Sequence, residues 1–447
     1  MHNIKKKNLA ILLEFGFHEI KKYIHSGFAQ KLSEHFDIIW LAIDKGNKEF
    51  DNYFKSTGFP VVYFSSQDFQ QSESKTEANN HSVRRHWMIR KHLGAFHNYS
   101  KVRKKTLKST IIGSDLIKKI FESRTLRLSK ARYGNKFFEQ TFKQYRIDHL
   151  LATGYASVFA KSSFITASEL EIKTWYLVNS WKDLYINNFI PFDFLTGMFV
   201  WSEQMKHDYL FHMPYLNKEK ICVSGNPTFD ILKKSGPAHS RSYYSSKYNI
   251  PEQADWLLYT MMPPGLINDE IETITLVAND ILKYYNPQEK IIVIRRNPNH
   301  STDEFNNMGV PSNTVFADHY CTFDKKNDMI VQSQEGEQEW IDLLHHCALN
   351  LSVPSTVTLE FLTLNKPVIN IGFGPDGMPE ERVIQHFEAG FYKPLFKNES
   401  VKKVERLGDL ITALNDCQKI MPKAENNAGQ QEAADIIIQR LIEGETI

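Results

Sequence analysis

Short apolar runs alternate with longer stretches of helical periodicity from one end of the chain to the other. The runs at 9–15, 37–43, 60–64, 149–153, 174–178, 198–201 and 220–225 read as strands, and so do those at 256–261, 290–296, 313–317, 328–331, 349–353 and 367–371. Most are continuous rather than alternating, as expected of strands covered on both faces of a parallel sheet. Helical patterns lie between them, so the repeating unit is βα and the predicted fold class is α/β.

One break interrupts this rhythm. Residues 231–255 are polar and rich in serine, with two prolines and a glycine, and alternation restarts at Trp256. The break reads as a linker between a first domain, 1–230, and a second, 256–420, with a C-terminal helix in 421–447.

Composition adds exclusions. The 447 residues are 42% hydrophobic and 24% charged, ordinary globular usage, and the formal charge of +2 does not single out nucleic acid as a partner. Four cysteines stand without CxxC spacing, which suits neither a disulfide framework nor a zinc site and fits a reducing cytoplasm. The apolar opening meets Glu14 almost at once, so it reads as a buried strand and not a signal peptide. No run approaches the roughly 18 apolar residues of a membrane helix.

Charge is unevenly placed. Residues 81–136 hold sixteen Lys or Arg against only Asp115 and Glu122. Ile112, Leu116, Ile117, Ile120 and Phe121 recur at helical spacing, which predicts helices with one apolar stripe and a cationic face. Such a face is either simply solvated or meets an anionic partner, with an anionic membrane surface or a polyanionic substrate preferred over nucleic acid.

The most informative stretch is LSVPSTVTLEFLTLNKPVINIGF, 351–373. A strand ends near Val353, Pro354 turns the chain, and Ser355 and Thr356 open a helix. Hydroxyls and free N–H groups at a helix N-terminus form a phosphate cradle, and Glu360, about one turn in, suits ribose hydroxyls. Upstream, TWYLVNSWKDLY (174–185), FVWSEQMKHDYL (199–210) and KEKICVSGNPTFDIL (218–232) carry Ser180, Trp181, Val200, Trp201, Ser202, Glu203, Gly225, Pro227, Phe229 and Asp230.

Together these blocks resemble the GT-B glycosyltransferases of bacterial surface-polysaccharide assembly, lipopolysaccharide and capsule included. The resemblance departs at Lys182 and Asp183, where relatives commonly show Asp-Asn, and at Asn297, where they often show His. It implies two Rossmann-like domains facing across a cleft, the donor nucleotide in the second and the acceptor, with Ser180, Trp181 and Glu203, in the first. Thr260 and Gly265, in a turn at the end of the strand at 256–261, and Arg295 or Arg296, at the end of the strand at 290–296, join Ser355, Thr356 and Glu360 as donor-binding candidates. The Met261–Met262 pair is either core or a platform for a base. Glu339 and Asp342 read as helix caps, and His345 and His346 as structural.

An inverting transferase needs a base for the acceptor hydroxyl, and the candidates are His18, in the loop after the first strand, and Asp183. The expected substrate is a UDP-, GDP- or CMP-linked sugar with a glycan or lipid-linked acceptor. Neither a resident cofactor nor a metal is expected. The expected location is the cytoplasm, at the inner membrane face through 81–136. The alternatives are a CDP-glycerol-type polyol phosphotransferase, a sugar-nucleotide epimerase (whose Ser-Gly-Gly loop is absent at 352–356), and a basic adaptor binding membrane or nucleic acid.

Overall fold

The computed structural model describes residues 6–14, 16–44, 46–65, 69, 75–91, 111–154, 157–186, 192–234, 236–263, 267, 269–297, 311–317, 321–324, 329–420 and 431–444. Two compact units emerge. The first takes in Met1–Asp230 and Gln431–Ile447, and the second is built from Ile231–Asp324 and Ile330–Gln430.

The first unit holds a sheet of seven strands: β1 (Lys7–Leu13), β2 (Phe36–Ile43), β3 (Val61–Phe64), β4 (His149–Ala152), β5 (Lys173–Leu177), β6 (Gly197–Val200) and β7 (Ile221–Val223). Their order is β3-β2-β1-β4-β5-β6-β7, and every pairing is parallel. Leu9 to Leu13 of β1 are wholly buried, which explains why the run contains no polar alternation. Packing near β5 is tight, because a Cβ added to Gly197 would lie 2.5 Å from the Trp175 ring.

The second unit repeats the plan with β8 (Asp255–Thr260), β9 (Lys290–Arg295), β10 (Thr314–Phe316), β13 (Leu349–Ser352), β14 (Val368–Ile371) and β15 (Val401–Val404) in the order β10-β9-β8-β13-β14-β15. β11 (Cys321–Asp324) and β12 (Met329–Gln332) pair separately. Its core includes Leu257, Tyr259, Met261, Val277, Ile281, Ile292, Leu351, Ile369 and Phe373. β15 and β11 have no counterpart among the predicted strands. β15 is an edge strand of sequence VKKV, buried at Val401 and Val404 but not at the two lysines between them, which interrupt any apolar run.

In both sheets the strand order reverses beside the first strand, between β1 and β4 and between β8 and β13. Ligands of open α/β sheets bind beyond the carboxyl ends of strands at such switch points.

The described residues of 231–255 include the end of the helix Pro227–Lys234 and the helix Arg241–Tyr248. Arg241 lies 4.0 Å over the Trp256 ring and donates to the Glu252 carbonyl at 2.7 Å, so this stretch packs on the second unit. The C-terminal helix, Ala433–Glu443, belongs to the first unit. The Asp230 carboxylate accepts the backbone N–H groups of Ala433 and Ala434 at 3.1 Å, capping that helix from a distant part of the chain. Of the basic segment, helices Lys75–Arg90 and Asp115–Arg132 are described, while 92–110 lies outside the described residues.

Candidate functional site

In the second unit, register sets Ser352 of β13 beside Thr260 of β8, so the two strands end together at the switch point. A helix of eight residues, Thr356–Thr363, starts just beyond. Ser355 occupies its N-cap position but makes no capping bond. Its hydroxyl is shut off from solvent and has no hydrogen-bond partner among the described residues.

A buried polar ladder holds this turn. Asn350 Nδ2 donates to the Leu258 carbonyl at 2.8 Å and to Thr260 Oγ1 at 3.4 Å, and Ser352 Oγ donates to Asn350 Oδ1 at 2.7 Å. Asn370 Nδ2 reaches the Ser352 carbonyl at 3.4 Å and Thr358 Oγ1 at 3.3 Å, while Tyr392 donates to Asn370 Oδ1 at 3.0 Å. Every rung is satisfied within the fold, so the ladder fixes the helix terminus rather than serving a ligand.

The end of β8 is held by Glu270, whose carboxylate accepts the Met262 N–H at 3.1 Å and the Tyr259 hydroxyl at 3.3 Å. Burial pushes its pKa up to about 8, against the pull of those two donors. Met261 and Met262 are both buried in core clusters, which settles them as core. Thr260 is buried and accepts from Asn350; Gly265 lies outside the described residues.

Arg295 and Arg296 part company where β9 ends, Arg295 being its last residue and Arg296 the first beyond it. Arg295 is buried and paired with Glu339, Nη1 to Oε2 at 3.3 Å. Glu339 also meets Lys247 at 2.9 Å and the Tyr248 hydroxyl. Arg296 is half-buried just past β9, the strand next to β8. Thr356 is the first helical residue, also half-buried, and Glu360 is buried a turn further on.

Two expectations need correction. The helix Gln334–His346 is capped by Ser333, whose hydroxyl accepts the Gly336 N–H at 3.0 Å, so Glu339 and Asp342 are mid-helix residues and not its caps. Asp342 instead accepts the N–H groups of Ala238 and His239 at 2.8 and 3.1 Å. Lys366 closes the other end of the helix by donating to the carbonyls of Leu344 and Cys347, both at 2.8 Å, and of His345.

In the first unit the chain leaves β1 through Gly16, with φ of +76°, and enters a π-helical turn, Ile20–His25, in which the Ser26 N–H reaches back five residues to the Lys21 carbonyl at 3.1 Å. Such widened turns often accompany functional sites. Here Lys21 and Lys22 diverge, and Lys22 is 2% exposed. Its ammonium donates to Asn179 Oδ1, just past β5, at 3.0 Å. Burial lowers its pKa to about 8, with Asp183 and Glu19 opposing.

Asp183 follows in the same loop and caps it by accepting the Ser180 N–H at 2.9 Å. Burial raises its pKa to about 6, against the Ser180 N–H, Lys22 and Lys182. His18 lies near the same lysines. Dehydration by the surrounding residues, then Lys22, Lys21 and Lys182, push its pKa down to about 4. The residue is exposed, so the neighbouring ammonium charges are the firmer cause, and the ring is neutral at pH 7. Glu19 is fully engaged, accepting the N–H groups of Glu14 at 2.8 Å and Gly16 at 3.1 Å and the Thr153 hydroxyl at 3.1 Å. Among the described residues no group of three or more His, Cys, Asp or Glu is placed to hold a metal ion.

No protein-family model matches the chain, and no curated protein matches it in sequence. Solved structures do match. A Listeria monocytogenes protein provisionally assigned as a UDP-N-acetylglucosamine 2-epimerase aligns with 99% of this chain and 97% of its own, at 12% identity and a TM-score of 0.57. The Methanocaldococcus jannaschii UDP-GlcNAc 2-epimerase, in complex with UDP-GlcNAc and UDP, aligns over 97% and 99% at 13% identity and 0.54. Arabidopsis thaliana UGT89C1, complexed with UDP, aligns over 99% and 100% at 10% identity and 0.53. The chain has the GT-B fold.

Within that fold the structure draws His18, Asp183 and Ser180 together around Lys22 and Lys182, at the carboxyl ends of β1 and β5. Trp181 is buried beside them, whereas Glu203 is exposed in the first turn of the Glu203–His212 helix, after β6. Lys22 is the residue sequence reasoning missed. Nothing in a Lys-Lys pair tells which ammonium turns inward, and only the widened turn decides it.

Proposed function

We propose that the protein is a glycosyltransferase that moves a sugar from a nucleotide-activated donor to a growing surface glycan or lipid-linked acceptor. The observation that carries this reading is the unpartnered, solvent-shielded Ser355 hydroxyl at the N-terminus of the Thr356–Thr363 helix, at the switch point of the second sheet. The N–H groups of that first turn and the Ser355 hydroxyl take the donor phosphates, and Arg296 supplies a cation for charge building on the leaving nucleotide. Glu360 takes the ribose.

In the first unit Asp183 is the better base. A carboxylate with pKa near 6 is ionised at pH 7 yet still basic, whereas the exposed His18 imidazole is pushed below its ordinary value by the charges of Lys22, Lys21 and Lys182 and is the weaker acceptor. The acceptor oxygen bonds to the anomeric carbon, the bond from that carbon to the phosphate oxygen breaks, the nucleotide leaves with the electron pair, and the proton passes to Asp183. The nucleotide sugar is a substrate, and no resident cofactor or metal enters the step. The enzyme works at the cytoplasmic face of the membrane, held there by its basic segment; no described helix is long and apolar enough to span it.

Thermal melting against UDP, GDP, CMP, CDP and dTDP tests the reading, since a ligand binding only the folded state raises the midpoint. One nucleotide stands out if it is right, and a flat panel overturns it. The solved neighbours favour a second reading, a sugar-nucleotide epimerase. Incubation with UDP-GlcNAc and no acceptor separates the two, because only an epimerase then yields a new sugar.

A further inference from the structure

The helix Asp115–Arg132 is inside out. Its buried positions, Lys118, Glu122, Thr125 and Ser129, recur at intervals of three and four and form a wholly polar stripe. Lys118 pairs with Glu122 at 2.9 Å, and Arg84, 1% exposed on the neighbouring helix, approaches Glu122 at 3.7 Å. The Trp87 ring lies 4.7 Å from the Lys118 ammonium.

The opposite face is apolar and cationic. Leu116 is 68% exposed and Ile120 55%, with Leu128 also exposed at the edge. Lys119, Arg124 and Arg127 are exposed among them. With 3.6 residues per turn, Leu116, Ile120 and Arg127 lie diametrically across from the buried stripe. Asp115 is the one exposed acid among this helix's described side chains, and it is bound to Trp87 at 2.7 Å and Lys91 at 3.2 Å.

A helix on a water-facing surface buries its apolar stripe and exposes its polar one. Here the reverse holds, and Leu116 and Ile120 forgo up to about 2 kcal/mol each of burial. Among the described residues nothing covers this face, and a cover that suits it is apolar at depth and anionic at its rim. A second copy of the same face would set Lys119, Arg124 and Arg127 against their own kind. A nucleic acid would meet the cations and leave Leu116 and Ile120 in water. An anionic bilayer satisfies both sets at once.

We propose that this face docks on an anionic lipid bilayer, with Leu116 and Ile120 entering the acyl boundary and Lys119, Arg124 and Arg127 on the lipid phosphates. The inference rests on the membrane part of the reading above and names the surface, but it is independent of the nucleotide site.

Co-sedimentation of the full chain with vesicles of phosphatidylglycerol and phosphatidylcholine, against phosphatidylcholine alone, tests it. The wild type partitions to the anionic vesicles, less so as salt is raised. Leu116→Ser/Ile120→Ser lowers the partition coefficient by about tenfold or more. Lys119→Glu/Arg127→Glu removes the preference for anionic lipid, at about fivefold per charge. Both variants melt with the wild type, because the altered side chains are exposed. Equal partition of the wild type and Leu116→Ser/Ile120→Ser overturns the proposal. So does a wild type that ignores vesicles while forming a dimer that this variant dissolves. The nucleotide melting shift is read on the same proteins: vesicle binding without it sinks the transferase reading alone, and a shift without vesicle binding sinks this one alone.

Discussion

The Lys22 ammonium donates to Asn179 Oδ1 at 3.0 Å, tying the turn after β1 to the loop after β5 and setting a buried cation beside Asp183. Lys22 favours the ionised form of that carboxylate while burial opposes it.

With Asp183 as base, kcat/KM rises with pH through about 6, where the carboxyl loses its proton. Lys22→Met withdraws the opposing cation and moves this limb to higher pH. Asp183→Asn abolishes the limb and lowers kcat by about 10²–10⁴-fold. A pH–rate profile of the three proteins is the check, and an unmoved limb in Lys22→Met would refute the coupling.

Glu270 makes stability depend on pH. Its folded pKa of about 8 lies above the ordinary 4.5, so the folded state keeps a proton that the unfolded state has lost. Stability therefore falls as pH rises from about 4.5 to about 8, then levels. Glu270→Gln still accepts the Met262 N–H and flattens the slope. Denaturant midpoints for both proteins across that window measure it.

Arg295→Met acts on stability before binding. Removing it leaves Glu339 buried with Lys247 and Tyr248 as its remaining partners among the described residues, at about 3 kcal/mol in a urea melt. Arg296→Met, at a half-buried site, costs less in the melt than Arg295→Met and weakens binding of the nucleotide that shifts it. A reversed pattern would exchange the roles assigned to the two arginines.

Ser355→Ala melts within about 1 kcal/mol of the wild type, because the Ser355 hydroxyl caps nothing. Nucleotide affinity, read by calorimetry, drops about tenfold or more. Unchanged affinity would move the phosphates elsewhere.

Asp230→Ala uncaps the C-terminal helix and costs about 1 kcal/mol. Amide exchange in 433–443 accelerates, while Asp230→Asn retains part of the protection.

The parallel sheets were legible because their strands are buried on both faces and carry uninterrupted apolar runs. β15 was not, since an edge strand tolerates Lys402 and Lys403. The helix opening after Pro354 was legible from Ser355 and Thr356, whereas the roles of Glu339 and Lys366 were not.

The sequence by itself determined the α/β class, the strands of both sheets that are buried on each face, and a helix terminus suited to phosphate. These follow from local periodicity and turn chemistry. Tertiary structure decided which charges turn inward: Lys22 over Lys21, Arg295 over Arg296, and the stripe of Lys118 and Glu122 in place of Leu116 and Ile120. Dehydrating a charge is costly unless a partner is at hand, and the partners Asn179, Glu339 and Arg84 lie far away along the chain, so only the folded chain brings them within reach.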